Sequence, residues 1–456
     1  MPIAFPEESC QRFITSVIQG FTGPVEHKNF ESDNQGVVRP KVLLTDTDRR
    51  PYAARLVLGL TEAGCEVSCL ATPNHPLLKT SAVRRMFPYS PFRPLGSLLK
   101  AIAAVAPDII VPCCDRGVQH LHELHTHLRE RSNSQRGVID LIERSLGPFE
   151  SFGIVSSRYD LLTLAQEEGL HVPQTRLITT ADDFKAWKAE QPLPWVLKSD
   201  GTWGGRGVRV AYSLEQAQQF FSEISRPFGL GRVMKRLCVN RDPFWVKPWL
   251  SRAKPAVIVQ SHVEGRPANC GVICWQGKVL AGIGVEVVSA DGPTGPATVV
   301  RVVDDPEMMK CAERIARRLR LSGFFGLDFM IEEGTRSAFL IEMNPRCTPV
   351  CHLRLGKGRD MMAALWAQLS GQPIPETTPV TDNDLIAYFP QAWNVGSEFL
   401  QSSFQDIPHE EPNLVREFLQ TWPERTLLYR IASDALRIRS FAGTLFARKG
   451  SNHSES

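Results

Sequence analysis

GFFGLDFMIEEGTRSAFLIEMNPRCTPVCH, running from Gly323 to His352, decides how the rest of the sequence is read. Within it, GLDFMI (326–331) and AFLIEMN (338–344) have the make-up of strands. The polar EEGTRS between them contains Gly334, so the stretch predicts a β-hairpin. Strand side chains alternate between faces. Asp328 and Glu342 each fall inside an otherwise apolar strand, and Asn344 shares the face of Glu342. Two readings stand side by side. In one, the acids are a satisfied pair on a half-exposed sheet. In the other, two carboxylates and an amide oxygen converge on a hard cation such as Mg²⁺. Arg346, directly beyond the strand, favours the second, because a guanidinium beside a carboxylate-bound metal suits phosphate chemistry.

Upstream of the hairpin, DPEMMKCAERIARRLRL (305–321) predicts an amphipathic helix with its basic side outward. NCGVICWQGKVLAGIGVEVVS (269–289) reads as two strands around a Gln276-Gly277 turn, and AVIVQSHVEG (256–265) as an apolar strand ending in a turn. Earlier, PWVLKSD (194–200) is a strand preceded by the helix DDFKAWKAE (182–190). GTWGGRGVRVAYS (201–213) is then a glycine-rich turn leading into another strand. Gly201, Gly204, Gly205 and Gly207 leave N–H groups free to wrap an anion, and Lys198 meets the same anion as a point charge. The plain alternative is a hairpin tip. No GK[ST] follows and no helix starts there, so the turn is not a P-loop.

The first third of the chain alternates differently. KVLLTD (41–46), EVSCLAT (66–72) and DIIVPCC (108–114) read as buried strands separated by the helices PYAARLVLGLTEAG (51–64) and LGSLLKAIAAVA (95–106). That order predicts a parallel α/β unit whose polar strand ends, Asp46 and Asp115-Arg116, lie where open sheets bind ligands. No GxGxxG follows the first strand, which argues against a dinucleotide site. HLHELHTH (120–127) is read as a polar helix surface rather than a metal set, since its four His do not share one i, i+4 face. SSRYDLLTLAQEEG (156–169) is an amphipathic helix, and Pro173 punctuates the passage to the next strand.

Residues 226–255 read as an insertion in which Arg226, Arg232, Lys235, Arg236, Arg241, Lys247, Arg252 and Lys254 face one acid, Asp242. A lid over an acidic or aromatic substrate, a peripheral membrane contact and a solvated basic face all fit that composition. Downstream of the hairpin, KGRDMMAALWAQLSG (357–371) is a helix and QPIPETTP (372–379) a linker. Beyond it come a short strand (385–391), a helix (413–422), a basic tail (429–450) that offers a second membrane contact, and a disordered end.

Hydrophobic content of 43% with 22% charge describes a globular protein with a sizeable core. A net charge of +3 is too small to make nucleic acid the main partner. No apolar run reaches the ~20 residues of a transmembrane helix. MPIAFPEESCQRF lacks the pattern of a signal peptide, and eleven Cys without a framework spacing predict reduced thiols and a cytoplasmic location.

Taken in order, Lys198, the glycine turn, IVQSHVEG and the series Asp328, Glu342, Asn344, Arg346 resemble the ATP-grasp superfamily over about residues 41–371. The resemblance implies an α/β plus α+β fold. A leader (1–40) and a Rossmann-like N-terminal domain (41–150) would precede a two-lobed ATP-grasp domain. Its small lobe would span 151–265 and its large lobe 266–375, with a small C-terminal appendage at 376–456. The resemblance also assigns roles. Lys198 would contact the α/β-phosphates, and Gly204, Gly205 and Gly207 would close over the β/γ-phosphates. Gln260, Ser261 and Val263 would form the adenine hinge. Asp328, Glu342 and Asn344 would hold two Mg²⁺, with Mn²⁺ as an alternative, while Arg346 and Arg301 would meet the transferred phosphoryl group and substrate. Arg158 stands where the family's first ATP-binding Lys is expected, Gln260 in place of a hinge acid and Pro267 in place of a ribose-binding acid.

The implied activity is a carboxylate–amine ligase using ATP, with small-molecule carboxylate and amine partners and a homodimer as one expected assembly. Bicarbonate activation of the biotin carboxylase or carbamoyl-phosphate type, and a non-catalytic ATP-binding regulator, are the alternatives. Specificity is expected in the loops 115–135, 226–255, 289–297 and 347–360. Cys347, Cys351 and His352 are expected to line the substrate pocket rather than to bind zinc.

Overall fold

The computed structural model describes residues 39–48, 51–131, 135–200, 207–226, 229–238, 244, 246–252, 255–292 and 295–419. The leader up to 38, Gly204 and Gly205, parts of 226–255 and the 429–450 tail lie outside the described residues.

The chain begins with β1 (Lys41–Asp46), α1 (Pro51–Glu62), β2 (Glu66–Ala71), β3 (Arg85–Pro88), α2 (Pro94–Val105) and β4 (Ile109–Pro112). These strands form a parallel sheet in the order β3-β2-β1-β4. Parallel strands covered on both faces read as continuous apolar runs, which is why KVLLTD is legible. Its Val42 and Leu44 pack in the same cluster as α1, and Leu43 packs on the other face with residues of α2. Three helices follow: α3 (Asp115–Arg131), α4 (Arg136–Leu146) and α5 (Phe149–Ser156). The histidines of α3 are not the polar surface expected. His120 and His125 are buried, donating to or accepting from Tyr89 Oη and Glu143 Oε1 at 2.8 Å each. His122 stacks on Phe152 with ring centroids 3.9 Å apart, and burial lowers its pKa to about 4. Imidazoles serve here as flat apolar surfaces with one polar edge satisfied.

The second unit comprises α6 (Arg158–Glu167), β5 (Thr175–Ile178), α7 (Asp183–Glu190), β6 (Trp195–Ser199), β7 (Val208–Ala211), α8 (Leu214–Ile224), α9 (Leu230–Cys238), α10 (Val246–Leu250) and β8 (Val257–Ser261). Its antiparallel sheet runs β5-β8-β6-β7 over a core that includes Phe184, Trp187 and Trp195. Helix α6 starts at a Ser157 cap whose Oγ accepts from Asp160 N. Leu161, Leu162, Leu164 and Ala165 of α6 join Ile258 of β8 in a cluster formed mainly by residues of the third unit.

That unit contains β9 (Gly265–Trp275), β10 (Lys278–Ala290), β11 (Ala297–Val303), α11 (Pro306–Leu319), β12 (Gly323–Glu332), β13 (Ala338–Asn344), α12 (Met361–Ser370), β14 (Leu385–Tyr388), α13 (Gln391–Asn394), β15 (Phe404–Asp406) and α14 (Pro412–Leu419). Seven strands pair in the order β13-β12-β9-β10-β11-β14-β15. The expected appendage is therefore corrected. β14 extends the sheet antiparallel to β11, and β15 adds to it in parallel. The strand expected at 385–391 is present as Leu385–Tyr388, but only its pairing with β11 and β15 shows that it belongs to the large sheet. Along β12 the faces separate cleanly: Leu327, Phe329 and Ile331 pack in the cluster that holds α11 and α6 residues, and Phe324 packs in the cluster shared with α12 and α1. Asp328 belongs by parity to the second face. Among the described residues no helix is long and apolar enough to cross a membrane.

Candidate active site

β12 and β13 pair so that Asp328 lies opposite Glu342 and Gly326 opposite Asn344, with a bulge that leaves Ile341 out of register. On its other side Asp328 faces Asn269 of β9. Both carboxylate oxygens of Asp328 accept amide N–H groups, from Asn269 Nδ2 at 2.6 Å and from Asn344 Nδ2 at 2.9 Å. Two acids directly across a ladder repel one another. Burial first and the Glu342 charge second push the Asp328 carboxyl up to about 6. Glu342 is lowered instead: burial opposes its charge, but Arg158, Lys198 and Arg346 outweigh it. A divalent cation would relieve the strain of this pair, and the Asn344 Oδ1 supplies a further hard oxygen. The donor set thus fits Mg²⁺ better than a softer ion. Among the described residues no group of three or more His, Cys, Asp or Glu gathers as a metal site, so this site offers two acids and an amide oxygen rather than an acidic trio.

This electrostatics has a measurable sign. The folded protein holds a proton on Asp328 between its ordinary 3.8 and about 6, where the unfolded chain has released it. The stability contributed by this group therefore falls as pH rises through that window. Mg²⁺ should raise the melting temperature well above pH 6 and progressively less below it, as protons compete for Asp328. Thermal shifts at about pH 5 and about pH 7.5 check this, with Asp328→Asn expected to remove most of the difference.

Three cations surround the acids. Arg158, the first residue of α6, donates Nη2 to Glu342 Oε1 at 2.8 Å and Nη1 to Asp200 Oδ1 and Ser199 O at 3.0 Å each. It therefore ties the end of β6 to β13. Lys198 is buried at 6% exposure and donates Nζ to Ile341 O at 3.3 Å, the carbonyl of the bulged residue. Burial, with Arg158 adding to it and Glu342 opposing, lowers its pKa to about 8. A dry ammonium that meets a single carbonyl among the described residues is well prepared to receive an anion. Arg346 is held from three sides: Nε donates to Asp115 Oδ1 at 3.0 Å, Nη2 to Asn344 Oδ1 at 2.9 Å and Nη1 to Cys347 O at 3.3 Å. Burial opposes the charge of Arg346, but its neighbours Tyr52 and Asp115 hold the guanidinium above its ordinary range.

The segment after Arg346 lies flat on the sheet. A Cβ on Gly326 would stand 2.3 Å from Thr348 Cγ2, and one on Gly271 would stand 2.5 Å from Val350 Cγ2. Only glycine admits this approach. Gly326→Ala is expected to destabilise by about 1–3 kcal/mol through overpacking and to lower turnover by lifting Thr348 and Arg346 together. Chemical denaturation alongside kinetics measures both. Cys351 accepts from Thr348 N at 3.2 Å, and burial pushes its thiol up to about 12. A thiol so protonated is neither a nucleophile nor a ready metal ligand.

Other expected residues lie apart from this cluster. Gln260 is buried with Nε2 donating to Thr175 Oγ1 at 3.1 Å, and Ser261 exchanges backbone and hydroxyl bonds with Gln174. Val263 is half-buried in the connection from β8 to β9. Gly207 closes the β6–β7 hairpin by accepting from Ser199 N at 3.1 Å. Arg301 requires a correction. It pairs across β11 and β10 with Glu286, then Ala268 and Phe329, and so lies on the face opposite Asp328. Its guanidinium meets the half-exposed Asp384 at 3.4 Å. The structure adds Asp200, Asn269 and Asp115 to the site. Asp115 was legible as a polar strand end; Asn269 requires knowledge of the register, and Asp200 had only its place beside Lys198.

Residues 155–350 match the family model described as an ATP-grasp domain. This segment is similar to an ATP-grasp domain. Phosphoribosylamine–glycine ligase of Rhizobium meliloti (strain 1021) is 26% identical over 228 residues, which is 46% of this chain and 48% of that protein. A carbamoyl-phosphate synthase of Methanobrevibacter smithii is 24% identical over 189 residues, covering 40% of this chain and 42% of that protein. The chain thus spans less than half the length of the curated relatives named here. In fold, it is similar to a crystal structure of an N5-carboxyaminoimidazole ribonucleotide synthetase in its ADP complex. The TM-score is 0.51 at 15% identity, over 75% of this chain and 81% of the other. The biotin carboxylase domain of Hydrogenobacter thermophilus 2-oxoglutarate carboxylase gives 0.52 at 13% identity, over 74% and 71%. Arg158, Lys198, Asp328, Glu342, Asn344 and Arg346 all fall inside the ATP-grasp domain, whereas Asp115, which holds Arg346, comes from outside it.

Proposed function

We propose that the protein is an ATP-dependent carboxylate–amine ligase. The observation that carries this reading is the meeting of the Asp328–Glu342 pair with Lys198 from one lobe and a triply held Arg346 from the other. A carboxylate does not acylate an amine at neutral pH, because oxide is its leaving group. Transfer of the γ-phosphoryl of ATP to a carboxylate oxygen gives an acyl phosphate and ADP. Attack by an amine then breaks the C–O bond, releasing phosphate and a proton and leaving an amide. Positioning and charge neutralisation supply most of the catalysis.

In this reading Asp328, Glu342 and Asn344 hold two Mg²⁺, and Mn²⁺ would fit the same oxygens. Bound Mg²⁺ neutralises phosphate charge and polarises the transferred group. Lys198 binds the nucleotide phosphates as a point charge, and the backbone of Gln260, Ser261 and Val263 meets the adenine edge. Arg158 leaves Glu342 and turns to the phosphates. Arg346 stabilises the oxygens of the transferred phosphoryl. The substrates are a small-molecule carboxylate and an amine, and the location is cytoplasmic.

The test is a phosphate-release screen of amino acids and small carboxylates with Mg-ATP, with nucleotide products separated. Acceptor-dependent ADP and phosphate support the proposal; AMP and pyrophosphate overturn the acyl-phosphate route. Release that depends on bicarbonate would instead favour bicarbonate activation, a reading supported by the carbamoyl-phosphate synthase relative.

A further inference from the structure

Asp406 lies in β15, beyond the ATP-grasp match, and is 3% exposed. Its Oδ2 stands 2.6 Å from His352 Nε2 and its Oδ1 accepts Arg55 Nη2 at 2.5 Å. Arg55 belongs to α1 of the N-terminal sheet, with its side chain 13% exposed. His352, at 8% exposure, ends the segment that starts at Arg346. A buried carboxylate receiving two charged or polar donors is costly to assemble and specifies geometry. Here it joins three parts of the chain at one point.

The segment 346–352 is thus held at both ends by carboxylates from outside the ATP-grasp domain. Asp115 fixes the Arg346 guanidinium at one end, and Asp406 fixes His352 at the other. Between them, Thr348 and Val350 press on Gly326 and Gly271, leaving the segment no slack toward the sheet. Releasing one end lets Arg346 drift, and a shift of about 1 Å at a group aimed at developing charge can cost on the order of a hundredfold.

We propose that Asp406 is a positioning residue for the phosphoryl-transfer site, acting through His352 to hold the Arg346 segment against the sheet and the N-terminal domain. The role assigned to Arg346 rests on the proposed ligase reading; the clamp itself does not. Asp406 makes no contact with the carboxylate pair and is given no part in chemistry. It makes the last described strand a component of the site.

The test uses the full chain carrying Asp406→Asn, His352→Ala and His352→Gln. Amide hydrogen exchange is followed in peptides covering 346–352 and, separately, β12 and β13. Asp406→Asn and His352→Ala should speed exchange at 346–352 at least about tenfold while β12 and β13 keep their protection. His352→Gln retains an N–H donor and should restore protection. With an acceptor found by the screen above, kcat should fall roughly tenfold or more for the first two variants while the Mg-ATP KM stays within about twofold. Unchanged exchange at 346–352 overturns the proposal. So does faster exchange spread equally over β12 and β13, which would make the triad a general fold element. If no acceptor supports phosphate release in the wild type, the ligase reading fails, while the exchange data still decide the clamp.

Discussion

Glu342→Gln is expected to lower acceptor-dependent ADP release by on the order of 10³-fold or more while the protein stays folded. The substitution keeps volume and one acceptor oxygen but removes the charge that faces three cations, Arg158, Lys198 and Arg346. Glu342 is the carboxylate of the pair that those cations keep ionised, so in the proposed reading it would be the anchor for a divalent ion at neutral pH. Stability should not suffer in proportion. Asp328 loses its like-charged neighbour across the ladder, and its carboxyl falls back toward the ordinary range. Arg158 keeps Asp200 and the Ser199 carbonyl. The expected signature is a melting temperature near that of the wild type, Mg-ADP affinity sharply reduced, and turnover lost. Turnover within about tenfold of wild type would remove Glu342 from the metal set.

Arg346→Lys is expected to be nearly as damaging, by about 10²–10³-fold in kcat, although charge is conserved. The guanidinium uses three separate nitrogens for Asp115, Asn344 and the Cys347 carbonyl, whereas the three N–H groups of an ammonium radiate from one atom and cannot span the same acceptors. Asn344 loses the donor that aims its Oδ1, and Asp115 loses the guanidinium that its Oδ1 accepts. Arg346 is thus the link between Asn344 and the first unit of the chain. Because Arg346 is assigned to the transferred group rather than to the adenosine, the KM for Mg-ATP should change by no more than a few fold. A variant with normal kcat and a raised KM would instead assign Arg346 to nucleotide binding.

Much of this arrangement is legible in the sequence, and the reason is local. Asp328 and Glu342 stand out because acids in apolar strands violate the alternation around them, and β13 spans the same residues that the pattern predicts, Ala338–Asn344. β1 and β2 are readable because mostly apolar stretches, VLL in the first and VSCLA in the second, are flanked by polar residues and lie buried. What stays hidden depends on pairing between distant segments. Arg301 sits between valines that would suit either face, and only the β10–β11 register shows that it points away from Asp328. Asn269 becomes a partner of Asp328 only once β9 is placed beside β12. The histidines of α3 look like a wet surface until α4 and α5 are laid across them. Asp406, in the unremarkable polar run FQDIPHEEP, carries no local mark at all.

The sheet order has a consequence for how the chain comes to be folded. β11 comes early in the large sheet's part of the chain, yet the side it does not share with β10 is covered by β14, which follows after α11, the β12–β13 hairpin and α12. During synthesis the row of N–H and C=O groups on β11 stays open while most of the large sheet already exists, which is the situation in which strand edges recruit foreign strands. The short, largely buried β14 and its parallel companion β15 then act as a seal that arrives last. Nascent chains released before Tyr388 should be sticky even though every residue of the ATP-grasp match has been made.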